Sequence, residues 1–144
     1  MALILDTGPL LAAMDRSDRD HSACAHLLSS TGEQLVIPAP ILPELDYWFH
    51  KGMGPDALTG LLAEIAAGVF RVEELKARDY ERVAELLDQY IDLRVGFVDA
   101  AVLAVVERLG EPKLATLDRR HFSIMRPRHV DAIELLPPSL AGRR

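Results

Sequence analysis

With 144 residues, 49% of them apolar and 26% charged, the chain has the balance of one folded domain, and its apolar runs are too short and charge-broken to span a bilayer. Sixteen Lys and Arg against 22 Asp and Glu leave a net charge of −6, which argues against indiscriminate nucleic-acid binding. One cysteine, Cys24, excludes an internal disulfide, and Asp6 follows the first apolar run with no basic leader before it, so the sequence predicts a reducing, cytoplasmic setting and no membrane contact.

Ala2 to Leu5 predicts a strand ending at Asp6-Thr7-Gly8-Pro9, where a helix starts with Pro9 in its first turn. Asp20 to Ser30 reads as a helix with Cys24, Leu27 and Leu28 on one face, and Leu35 to Ile37 as a strand stopped by Pro38. Ile41, Leu45, Trp48 and Phe49 keep helical spacing despite Pro40 and Pro43. A helix starting near Ala39 or Pro40 resolves the conflict, because a first-turn proline removes no intrahelical hydrogen bond. Trp48, Phe49 and Met53 belong either to the core or to a groove for a partner.

A helix over Asp56–Ala67, a strand over Val69–Val72 and an amphipathic helix over Ala77–Tyr90 follow; the last has Tyr80, Val83, Leu86, Leu87 and Tyr90 as its stripe. Phe97 to Leu109 is apolar on nearly all sides except for Asp99, which predicts a helix buried on most faces. Lys113–Thr116 and Ala132–Leu136 read as strands around a short helix or turn at Arg119–Ile124. Alternating strands and helices imply one α/β domain over residues 1–137 with a mainly parallel sheet, and residues 138–144 form a loose tail. Such sheets bind ligands beyond the carboxyl ends of their strands.

Four acids fall where that edge should be. Asp6 and Asp118 each follow a strand, Glu44 lies in the first turns of the proline-started helix, and Asp99 opens the buried helix. Each has an ordinary alternative as a helix cap or first-turn acid, worth roughly 0.5–2 kcal/mol. Asp99, between Val98 and Ala100, needs a partner in its apolar surroundings, and Glu44 has no Lys or Arg within four positions. Brought together, four carboxylates repel by about 3 kcal/mol per pair at roughly 5 Å, which a cation must offset. Oxygen ligands without a Cys or His cluster point to Mg²⁺ or Mn²⁺, and such sites commonly hydrolyse phosphodiesters.

Leu5-Asp6-Thr7, Pro43-Glu44-Leu45-Asp46-Tyr47, Gly96-Phe97-Val98-Asp99-Ala100-Ala101 and Thr116-Leu117-Asp118-Arg119-Arg120-His121-Phe122 together resemble the PIN-domain family, specifically VapC-type toxins of type II toxin–antitoxin pairs. The resemblance spans residues 3 to about 136. It implies a three-layer domain whose five-stranded, mainly parallel sheet has order 3-2-1-4-5. It further implies a Mg²⁺-dependent endoribonuclease, with Mn²⁺ substituting, that cuts a structured RNA of the tRNA or rRNA class. Asp6, Glu44, Asp99 and Asp118 match the family's acidic quartet as catalytic and metal-holding residues, and Thr7 and Thr116 match the hydroxyl residues that support it. A cognate VapB-like antitoxin and a homodimer are the implied partners. The antitoxin tail would carry an arginine into the carboxylates, along the helices around Trp48 and 56–67.

Residues 113–144 carry seven bases against three acids, so Arg119, Arg120, Arg126 and Arg128, with Arg94 ahead of Asp99, are candidates for RNA contact. Asp46 is a fifth acid on another helix face. His121 reads as a surface or capping histidine, with a phosphate contact as the alternative. A phosphatase with a nucleophilic Asp after its first strand would want a second Asp where Gly8 stands. A non-catalytic binding module of the same fold would usually have a broken quartet, and this one is whole.

Overall fold

The computed structural model describes residues 1–139; residues 140–144, most of the expected tail and with it Arg143 and Arg144, lie outside the described residues. Five strands, β1 (Ala2–Leu5), β2 (Gln34–Pro38), β3 (Phe70–Glu73), β4 (Lys113–Ala115) and β5 (Glu134–Leu136), form one sheet in the order 3-2-1-4-5. Every pairing is parallel, from Ile4 beside Val36 and Leu114 to Leu114 beside Leu135. Around it lie α1 (Thr7–Met14), α2 (His21–Ser30), α3 (Leu42–Gly52), α4 (Pro55–Ala66), α5 (Ala77–Gln89), α6 (Phe97–Leu109) and α7 (Arg119–Ile124).

Strand β1 sits at the centre because all four of its residues are apolar; all are buried, as a parallel strand covered on both faces requires. α6 is buried continuously from Ala100 to Val106, matching its nearly uniform apolar sequence. The prolines after β2 are accommodated in two steps rather than in one helix. Pro40 falls in a 3₁₀ turn over Ala39–Ile41, and Pro43 in the first turn of α3. Phe49 is fully buried, whereas Trp48 is half exposed and stacks edge-on against Tyr47.

The expected stripe of α5 is corrected at one place. Tyr80 is exposed and Asp79 is buried in its stead, because Arg108 of α6 donates to both Asp79 carboxylate oxygens at 3.1 and 2.9 Å. Hydrophobic spacing shows which positions are apolar; it does not show that a charge is neutralised from 29 residues away. β3 likewise starts at Phe70, leaving Val69 exposed, and β5 is confined to Glu134–Leu136.

Candidate active site

In a parallel α/β sheet the carboxyl ends of the strands and the amino ends of the following helices share one edge. Asp6 occupies such a junction. Its backbone N–H continues the β1–β4 pairing by donating to the Ala115 carbonyl, and its Oδ1 accepts from the Thr7 N–H at 2.8 Å, capping α1. Its Oδ2 accepts from the Thr116 hydroxyl at 2.7 Å. That same hydroxyl accepts from the Asp118 N–H at 3.0 Å, so Thr116, fully buried, joins the ends of β1 and β4.

Glu44 enters from α3, where its Oε1 accepts from the Thr7 hydroxyl at 2.6 Å. Asp118 caps α7 through Oδ1, which accepts from the His121 N–H at 3.2 Å. Capping and nearness to the other acids are therefore not exclusive: for Asp118 the cap holds Oδ1 and leaves Oδ2 against His121, and for Asp6 the second oxygen is held by Thr116. Asp99 arrives in the first turn of α6, and the partner its apolar setting demands is His121. The imidazole Nδ1 lies 3.1 Å from Asp99 Oδ2 and 2.9 Å from Asp118 Oδ2.

The electrostatics record the crowding. Burial, followed by the charges of Asp6 and Asp118, pushes the Asp99 carboxyl up from 3.8 to about 6. Burial also raises Asp6, against the hydrogen bonds from Thr116 and Thr7 and with the charges of Glu44 and Asp118. His121 is raised chiefly by its hydrogen bond to Asp118, against desolvation. Among the described residues no Lys or Arg pairs with any of the four acids. Asp99, Asp118 and His121 offer donor atoms within 4.8 Å of one another, Asp6 and Glu44 add charges felt at Asp99, and two of the acids resist ionisation; such a donor set fits a hard divalent cation.

The other sequence candidates divide by position. Asp46 points away, half exposed and paired with His50 one turn on. Arg94 is exposed in a left-handed conformation just ahead of α6, and Arg120 is exposed beside Asp118. Arg119 instead binds backbone, donating to the carbonyls of Leu135 and Pro137. Arg128 donates from its guanidinium to Glu85 and from its N–H to Glu107 at 2.7 Å, and the Arg126 N–H bonds the Tyr90 hydroxyl. Glu107 lies eight residues along α6 from Asp99, about 12 Å away. The place of His121 was the main feature missed; the signal was its position three residues after Asp118, which puts both on one helical face.

This geometry is that of a PIN nuclease fold. The sequence matches the PIN domain over residues 3–126, and the chain belongs to that family. Within it, the chain is similar to VapC proteins. Ribonuclease VapC26 of Mycobacterium tuberculosis is 36% identical over 125 residues, covering 87% of this chain and 93% of that one. The crystal structure of VapC20 from the same organism, a sarcin-ricin loop cleaving toxin, superposes with a TM-score of 0.71 at 24% identity, over 78% of this chain and 86% of that. A chain of VapBC2 from Rickettsia felis, solved bound to a DNA fragment from their promoter, gives 0.66 at 16% identity, over 94% and 97%. Both likenesses bear on the fold.

Proposed function

We propose that this chain is a divalent-metal-dependent endoribonuclease toxin that cuts a structured RNA of the tRNA or rRNA class and is silenced by a cognate antitoxin of the VapB type. The observation that carries the reading is the gathering of Asp6, Glu44, Asp99 and Asp118 at the carboxyl edge of the sheet, with no Lys or Arg paired to them among the described residues, in a chain 36% identical to a ribonuclease. These four acids would hold Mg²⁺, or Mn²⁺ in its place. Bound there, the ion supplies activation of water and stabilisation of the departing oxygen of the phosphodiester.

The chain's own residues set up that chemistry before any substrate arrives. Thr7 orients Glu44, and Thr116 orients Asp6 while tying down the Asp118 backbone. Arg94 and Arg120, both exposed, would meet RNA phosphates; Arg119 serves the sheet, and Arg126 and Arg128 line the α5–α6 side. The half-exposed Trp48, with Leu11 and Met53 beside it, supports an antitoxin path along α3 towards the carboxylates, where an arginine would match the acids bidentately. A homodimer and a cytoplasmic location complete the proposal, and among the described residues no helix is long and apolar enough to cross a membrane.

The test is cleavage of structured RNAs by the purified chain with Mn²⁺, with EDTA and with EDTA followed by excess Mn²⁺, alongside Glu44→Gln. Cleavage should vanish with EDTA, return with Mn²⁺ and be lost in the variant. Cleavage indifferent to EDTA, or retained by Glu44→Gln, would overturn the reading.

A further inference from the structure

We propose that His121 is a direct nitrogen ligand of the divalent ion shared by Asp99 and Asp118, and that this imidazole tilts the site from Mg²⁺ towards Mn²⁺. The inference rests on the metal-dependent reading of the site given above and adds a donor that an all-carboxylate site lacks. Nδ1 lies 2.9 Å from Asp118 Oδ2 and 3.1 Å from Asp99 Oδ2, and the three residues offer donor atoms all within 4.8 Å of one another. Neighbouring ligands around an octahedral ion with bonds near 2.1 Å stand about 3.0 Å apart. The imidazole nitrogen is thus already at ligand spacing from both carboxylate oxygens.

Local structure holds the ring in that place. Asp118 Oδ1 accepts the His121 backbone N–H at 3.2 Å, closing the first turn of α7 and presenting the ring to the carboxylate three residues earlier. Nδ1 is the ring nitrogen that hydrogen-bonds the carboxylates, so it carries a proton in this structure. An ion binding there would displace that proton to solvent, leaving Nδ1 with a free lone pair and the ring's remaining hydrogen on Nε2, which makes no hydrogen bond among the described residues. The side chains of Asp99, Asp118 and His121 are 21%, 36% and 25% exposed, which leaves an ion a way in. Mg²⁺ favours oxygen donors and holds its waters, whereas imidazole nitrogen favours the later first-row ions, so one nitrogen moves relative affinity towards Mn²⁺.

The experiment loads the intact chain with Mn²⁺ and records electron spin-echo modulation, in ordinary protein and in protein whose histidines carry ¹⁵N. His21, His26, His50 and His129 stand outside the cluster, so they do not contribute. The expected result is a ¹⁴N modulation that disappears on labelling. Mn²⁺ binding to His121→Gln, followed by loss of the free-ion signal, should weaken about tenfold. Mg²⁺ binding, measured by competition, should weaken less. Bound Mn²⁺ whose modulation ignores the label would overturn the proposal and leave His121 a hydrogen-bonding clamp, with the metal-dependent reading intact. Failure of the parent protein to bind Mn²⁺ at all would overturn both. The labelled parent decides the question even if the variant does not fold.

Discussion

Helix α6 holds acids near both of its ends, in opposite surroundings. Towards its C-terminus Arg82 forks onto Glu107 at 2.7 and 3.0 Å, and Arg108 grips Asp79 and reaches the Glu74 carbonyl at 3.0 Å. Glu85 is bound by Arg82 and Arg128. Asp79, Glu85 and Glu107 there each meet a guanidinium. At the N-terminus Asp99 meets three more carboxylates and a single imidazole. The first arrangement joins α5 to α6; the second gathers carboxylates without a Lys or Arg paired to them among the described residues. Acid content alone does not mark a site. The cluster at the sheet edge differs in that its acids come together without matching bases.

The largest effect expected from breaking this contrast lies at the neutralised end. Arg108 and Asp79 are 7% and 3% exposed, so Arg108→Met leaves a carboxylate buried beside an apolar chain. Loss of one partner of such a pair should cost about 3 kcal/mol of stability. Urea melts should reveal that loss, while RNA cleavage per folded molecule stays near the parent's. A variant as stable as the parent would mean that the network is not structural.

At the open end the expected signs are reversed. Asp99→Asn should lower cleavage by more than about a hundredfold, yet stabilise the protein in EDTA, because it removes a charge the folded state disfavours. The folded carboxyl titrates near 6 against 3.8 ordinarily, so folding disfavours ionisation. That cost is absent below about pH 4, grows as pH rises and is complete above about pH 6. The variant's advantage in melting should follow the same course, with about 3 kcal/mol as its upper limit at neutral pH. His121 pulls the other way, but less than burial and the two aspartates push. Equal melting of variant and parent from pH 4 to pH 7.5 would show that folding does not disfavour the Asp99 charge.

Much of this contrast was legible before the structure. Asp6 and Asp118 follow strands, and Asp99 interrupts an apolar helix, so local pattern alone placed all three at one edge. Glu44 was legible too, in the first turns of the proline-started helix, although the 3₁₀ turn ahead of α3 was not. Tyr80 was expected in the buried stripe and His121 at the surface or as a cap, and both differ for one reason: the partners that decide, Arg108 for the neighbouring Asp79 and Asp99 for His121, lie on other elements. Periodicity reports burial, whereas pairing depends on how α5, α6 and α7 pack. The arginines suffered likewise, because a basic count does not separate Arg119 on the β5 carbonyls from Arg120 at the surface.

Thr116→Val sharpens the comparison at smaller scale. The substitution keeps shape and burial but removes the hydroxyl between Asp6 and the Asp118 N–H. With a buried carboxylate deprived of a donor, the loss should be about 1–2 kcal/mol, together with roughly tenfold slower cleavage. Thr116→Ser should recover most of both. Failure of Ser to rescue would assign the effect to packing around the methyl group instead.

The smallest effect separates two exposed arginines. Arg120 neighbours Asp118, makes no ion pair among the described residues, and places a positive charge that is felt at His121. Arg128 is held by Glu85, and its N–H by Glu107, on the α5–α6 side. A phosphate contact releases counterions from the RNA, so each one lost should reduce the salt slope of binding by somewhat less than one unit. RNA binding by a metal-free Glu44→Gln background, titrated from low to moderate salt, isolates this term from cleavage. Arg120→Ala should flatten the slope and Arg128→Ala should not, because a guanidinium already paired with a carboxylate must give up that partner to meet a phosphate. Equal flattening in both would extend the RNA path down the side of α6, and no change in either would place the path elsewhere along the sheet edge.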